Sequence, residues 1–249
     1  MEHPMTTTLY KYRKFGSRVI EALKENSGWF AKPSTFNDPF DSAFTLANAQ
    51  SEETIRHFDA KFEKKYGIRV PPALRDPSVD RKIFEGFRED IRNLSQNEIG
   101  LFCVSETPDS ILMWSHYADS HKGFCVAYGR RPSTMLDQIA KQVHYSNDYP
   151  SFTYEDFEKY TATDMEHLWL TKAQQWSYER EWRLIHPTGN VSVRFDFPIT
   201  GIIFGMRMCE DHRAEIRNAL SASSDVEYFQ AEASDTEFCI KIAGATIAT

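Results

Sequence analysis

The 249 residues predict an α+β fold: a mostly antiparallel sheet, or a split pair of sheets, with helices packed outside. Three observations carry this expectation. Apolar residues make up 41% of the chain and charged residues 26%, enough for a sizeable core and too little charge for a disordered chain. Short period-two runs and short helical runs alternate irregularly, with neighbouring strands joined by short links. No glycine-rich dinucleotide turn follows the first strand, which speaks against a doubly wound parallel sheet. Without internal repeats or low-complexity segments, residues 1–249 read as one domain.

Each element has a local reason. Residues 9–13 alternate as a strand. Ser17 opens a helix with Val19, Ile20 and Leu23 on one face, which stops at Asn26-Ser27-Gly28. An extended run, 29–33, leads to Asn37-Asp38-Pro39-Phe40-Asp41, where proline breaks regular structure and the Asx side chains predict a capped turn. From about 50 to 98 the spacing of Ile55, Phe58, Phe62, Ile83, Phe87 and Ile91 predicts a helical insertion. Strands are expected at 100–105, 123–128, 141–145, 181–185 and 199–204, and helices at 110–118, 165–176 and 213–220. Residues 226–230 and 238–242 look like a terminal hairpin.

Charge and cysteine use exclude some functions. With 29 Lys+Arg against 36 Asp+Glu the net charge is −7, which argues against a surface built entirely to wrap nucleic acid. Residues 1–32 nevertheless hold six Lys+Arg against three Glu, a local basic surplus beside which an anionic cofactor or a nucleic acid could bind. Cys103, Cys125, Cys209 and Cys239 are scattered singly in or beside apolar runs, the pattern of buried reduced thiols. The short polar N-terminus and the lack of a run of roughly 20 apolar residues predict a cytoplasmic protein that does not span a membrane.

Aromatic residues crowd around a few polar ones, as in a ligand pocket. Arg13, at a strand end, could clamp a phosphate or stand as a solvated charge. His116, between Trp114 and Tyr117, fits a general base and equally a satisfied core histidine. His116, His121, Cys103 and Cys125 lack a Cys-x-x-Cys knuckle, so no metal is expected. Glu179 and Glu181 stand two apart among Trp176, Tyr178 and Trp182; strand alternation would put both carboxylates on one side, where repulsion separates their proton affinities. One could then stabilise an oxocarbenium-like transition state while the other handles a proton.

The strings Leu-Tyr-Lys-Tyr-Arg (9–13), Asn-Asp-Pro-Phe-Asp (37–41), Met-Trp-Ser-His-Tyr-Ala-Asp (113–119) with His-Lys-Gly-Phe (121–124), and Trp176 with Glu179-x-Glu181-Trp-Arg183 resemble a bacterial family of unknown function. More distantly, a basic residue on the first strand, a serine ending a middle strand and Glu-x-Glu opening a late strand resemble the order found in ADP-ribosyltransferases. That likeness implies an ADP-ribosyltransferase-like split sheet and an NAD-dependent transferase, a glycosyltransferase acting as an intracellular toxin or antiviral defence effector. Glu181 would be the catalytic glutamate, Glu179 would face the acceptor, and Ser105 would brace the pocket. Arg13, or Lys11 on the same strand face, would hold NAD, with Tyr12, Trp114 or Tyr117 stacking on nicotinamide. The implied partners are NAD, a protein or nucleic-acid acceptor and an antitoxin protein. Two other classes use the same residues: a hydrolase or nuclease with His116 as base and Asp119, Glu179 or Glu181 as its partner, and a non-catalytic partner-binding module.

Overall fold

The computed structural model describes residues 7–46, 63–64, 89–152, 165–223 and 225–244. The predicted insertion at 50–98 lies mostly outside them; the described stretches 63–64 and 89–98 are helical. Along the chain the strands are β1 (Thr8–Arg13), β2 (Ser27–Phe30), β3 (Thr45–Leu46), β4 (Gly100–Ser105), β5 (Phe124–Gly129), β6 (Lys141–Gln142) and β7 (His144–Ser146). They continue as β8 (Ser151–Phe152), β9 (Thr171–Ala173), β10 (Glu181–His186), β11 (Val191–Arg194), β12 (Ile199–Phe204), β13 (Glu227–Ala233) and β14 (Ile240–Gly244). The α-helices are α1 (Ser17–Glu25), α2 (Ile111–Tyr117), α3 (Met135–Gln138), α4 (Glu166–Trp169) and α5 (Glu210–Ala219).

The chain divides into two compact units, Met1–Ala31 with Gly100–Val143 and Gln175–Thr249, and Lys32–Ile99 with His144–Gln174. The first is mixed α/β around an eight-stranded sheet in the order β14-β13-β12-β5-β1-β4-β10-β6. Every neighbouring pair is antiparallel except β12 and β13. Both faces are covered, which explains why β5 is buried along its whole length. On one face Leu9, Phe102, Val104, Phe124, Val126 and Tyr128 pack with Ile20 and Leu23 of α1 and Ile216 of α5. On the other, Tyr12, Cys125, Ile203 and Ala231 pack with Met113 and Trp114 of α2.

Local chemistry sets the helix ends as the sequence suggests. Asn26 ends α1 in the left-handed region (φ 48°), and the Ser110 side chain accepts from the Met113 N–H at the start of α2. The predicted helix at 165–176 is shorter. It is interrupted after α4: Thr171 folds its hydroxyl back to the His167 carbonyl (2.8 Å), the chain enters β9, pairing with β7, and helical turns resume only as a 3-10 helix at Gln174. The strand expected at 141–145 is likewise two strands, because Val143 donates to the Glu181 carbonyl while His144 donates to Leu170. Of the cysteines, Cys125 is buried, Cys103 and Cys239 are partly covered, and Cys209 is exposed just before α5, against expectation. None is paired in a disulfide.

In the second unit β3 pairs with β8 and β7 with β9, both parallel. The Asn37–Asp41 segment is the capped turn expected, with Asp38 Oδ1 accepting from the Phe40 N–H at 2.9 Å. Gln96 donates to the carbonyls of Asp41 (3.2 Å) and Ser42 (3.1 Å), and the buried Asp41 carboxylate lies 3.7 Å from the buried Lys172 ammonium. Ser95 accepts from Trp169 Nε1 at 3.0 Å. This motif is therefore structural.

Candidate functional site

In the first unit, β1 and β4 share a single register pair, Tyr10 opposite Ser105, while Ser105 on its other side stands opposite Glu181. Cross-strand partners project to the same face, so Tyr10, Ser105 and Glu181 form one row across three adjacent strands. Below that pair β1 and β4 diverge. The seam is closed by side chains: Lys11 Nζ donates to the Cys103 carbonyl at 2.5 Å and stands over the Phe102 ring, and the Tyr12 hydroxyl donates to the Thr107 carbonyl at 2.8 Å.

Glu181 is 4% exposed, and its carboxylate accepts from Arg183 Nε at 2.8 Å and Nη2 at 3.1 Å. Arg183 is fully buried. Two residues apart on one strand, the two side chains share a face, and the planar guanidinium forks the carboxylate. Glu179 reaches the site differently from the expected alternation. It ends a 3-10 helix (Gln174–Glu179), and Arg180 then takes a left-handed conformation (φ 45°) before β10 begins. Glu179 is 3% exposed, and its Oε1 accepts from the Tyr117 hydroxyl at 2.7 Å. The Ser105 hydroxyl donates to the Glu179 carbonyl at 2.5 Å and accepts from the Thr107 N–H at 3.1 Å, so Ser105 fastens the end of β4 to the segment that presents both glutamates. Outside this core, Glu106 holds Arg180 (2.8 Å) and Trp182 Nε1 (2.8 Å).

Tyr12 and Trp114 meet edge-to-face at 5.2 Å, and Trp114 Nε1 donates to the Pro108 carbonyl at 2.8 Å. Tyr10 lines a cavity of about 520 Å³ on the same face. Its floor is Ala127, Gly201, Ile203 and Phe229, and Arg130, Arg131 and Glu227 also line it. This lies within the usual size for a small-molecule site. Burial raises the pKa of the Tyr10 phenol, and the nearby Cys125 and Asp109 add to the effect.

Two expected members stand apart. Alternation along β1 sends Arg13 and Lys11 to the face opposite Tyr10 and Tyr12, so Arg13 does not join Ser105 and Glu181. His116 is exposed on α2, 6.2 Å from the Tyr117 ring and 6.4 Å from Trp176, and makes no hydrogen bond among the described residues. Among those residues no three of His, Cys, Asp and Glu come together as metal ligands, and no helix is long and apolar enough to cross a membrane. Arg183 was the site residue to find: its i+2 spacing from Glu181 on a strand signals it.

Residues 113–184 match the model of a protein family of unknown function (DUF2971). The match begins in α2 and ends in β10, so it includes Tyr117, Glu179, Glu181 and Arg183 and leaves out Tyr10 and Ser105. No curated protein matches the chain, and no solved structure does.

Proposed function

We propose that the protein cleaves the bond between ribose and nicotinamide in NAD and transfers ADP-ribose to a macromolecular acceptor, a protein or a nucleic acid. The observation that carries this reading is the row Tyr10–Ser105–Glu181, with Glu179 fastened beside it by Ser105 and Tyr117. In the reaction nicotinamide leaves C1′, positive charge develops on the ribose, and the acceptor nucleophile attacks C1′. Glu181, fixed by Arg183, supplies preorganised negative charge to that transition state. Glu179 takes the proton that the acceptor releases. The cavity beside Tyr10 is large enough for a nucleotide. Of the three rings expected to stack on nicotinamide, Trp114 and Tyr12 are buried in the core and offer it no face, which leaves the partly exposed Tyr117. Arg13, on the other face, has no part in this scheme. Such an activity would belong to a cytoplasmic toxin or antiviral effector, restrained by an antitoxin protein.

A hydrolase built on His116 finds less support, since no carboxylate among the described residues orients its ring. The test is incubation of the purified full chain with labelled NAD, alone and with cell lysate. Release of nicotinamide and transfer of label are expected, both reduced about 100-fold or more in Glu181→Gln while circular dichroism shows the fold retained. If neither release nor transfer occurs, the reading fails.

A further inference from the structure

The row of Tyr10, Ser105 and Glu181 continues in register on the other side of Tyr10: Tyr10 stands opposite Ala127, Ala127 opposite Gly201, and Gly201 opposite Glu227. Cross-strand partners share a face, so Tyr10 and Glu227 rise from the same side of the sheet, three strand spacings or about 14 Å apart. The two positions between them carry only a methyl group and a hydrogen. They form a notch, and all four residues line the cavity of about 520 Å³. A Cβ at Gly201 would meet the Phe229 ring at 3.1 Å, so that ring borders the notch, with Ile203 and Ile242 also lining the cavity.

The polar groups of this cavity are not used by the protein itself. Among the described residues the Tyr10 hydroxyl, the Glu227 carboxylate and the Arg131 guanidinium make no hydrogen bond or ion pair. Arg130 differs, since its guanidinium is taken up by Asp137 at 3.3 Å and by the Trp182 ring at 4.9 Å. An acid and a base that line one cavity without meeting each other suit a ligand with an anionic group, hydrogen-bond donors and a flat apolar body for the floor. A nucleoside diphosphate has all three. We propose that the notch holds the adenosine diphosphate half of NAD, with the base against Phe229, the ribose hydroxyls donating to Glu227, and the diphosphate reached by Tyr10 and Arg131. The assignment rests on the NAD reading above and adds a selection rule to it. A carboxylate at the ribose diol repels a 2′-phosphate, so NAD is accepted and NADP refused. The Tyr10 end of the notch then leads toward Ser105 and Glu181, where the nicotinamide end belongs.

Isothermal titration of the full chain with ADP-ribose, and with ADP-ribose phosphorylated at the adenosine 2′ position, tests the site without any turnover. ADP-ribose should bind, and the 2′-phosphorylated form should bind about tenfold more weakly or worse. Glu227→Gln should bring the two within about twofold, and Arg131→Met should weaken ADP-ribose about fivefold or more. Both side chains are exposed, so neither change threatens the fold. Ala127→Leu, which fills the notch, should abolish binding. Absence of ADP-ribose binding, equal affinity for the two ligands, or binding that neither Glu227→Gln nor Arg131→Met alters overturns the proposal, even where nicotinamide is released from NAD. Binding with the expected discrimination but without nicotinamide release upholds the nucleotide site and defeats the NAD chemistry.

Discussion

The Arg183 guanidinium grips Glu181 from the same strand and the same face, with Nε at 2.8 Å and Nη2 at 3.1 Å, and neither side chain meets solvent appreciably. Taking two charges out of water is costly, and removing one partner strands the other. Arg183→Met should therefore destabilise the protein by about 3–5 kcal/mol in urea unfolding. The double variant Glu181→Leu/Arg183→Met should recover at least about half of that loss. Additive losses would show that the pair does not act as a unit.

The Tyr117 hydroxyl gives Glu179 a charge-assisted hydrogen bond in a buried setting. Tyr117→Phe should cost about 1.5–3 kcal/mol. If Glu179 serves the acceptor side of the proposed reaction, the variant should also lower label transfer more than nicotinamide release. A proportional drop in both would assign Tyr117 a purely structural role.

Alkaline pH should unfold the protein early. Burial pushes the Tyr128 phenol up to about 12, and it raises Tyr10 and Tyr12 as well. In the unfolded chain these phenols titrate near 10, so between the two values the folded state holds more protons. Stability present below pH 10 is lost as pH rises toward 12, by about 1.4 kcal/mol per pH unit for each phenol still protonated in the fold. Urea midpoints measured from pH 8 to 11 should stay level and then fall. Tyr128→Phe should flatten the fall, and an unchanged slope would remove Tyr128 from the account.

Gly123 precedes β5 where the backbone is crowded: a Cβ there would meet the Arg13 carbonyl oxygen at 2.2 Å and Ala118 backbone atoms at 3.0 Å. Both are main-chain neighbours that cannot rotate away. Gly123→Ala should destabilise by at least about 3 kcal/mol, read from the chemical denaturation midpoint. A neutral effect would mean that the Ala118–Gly123 loop can move off the sheet.

Much of the fold is legible from local pattern. β1, β4, β5, β10, β12, α1 and α2 lie where period and caps put them, because the apolar pattern of each matches what it buries, one face for α1 and α2 and both faces for β5. The losses come where tertiary pairing overrules local preference, as at Thr171–Ala173, whose helical pattern yields to pairing with β7. β2 finds its partner β11 some 160 residues later, a pairing that no local signal announces. At the site, Ser105 and Glu181 were readable as strand-end residues, and Arg183 could have been. The link from Tyr117 to Glu179 was not, since it spans 62 positions and depends on the left-handed turn at Arg180. Arg13 shows the limit of motif order: a residue can occupy the right strand and still point through the sheet to the other side.

The single register pair between β1 and β4 also fixes how the sheet breathes. Amides of β1 that point to β5 belong to a continuous six-pair ladder, whereas those that point to β4 have one register pair at Tyr10 and side chains beyond it. Hydrogen exchange along β1 should thus alternate, slow toward β5 and fast toward β4. The eight strands would open as five and three, parting at Tyr10 and Ser105 before either group unfolds.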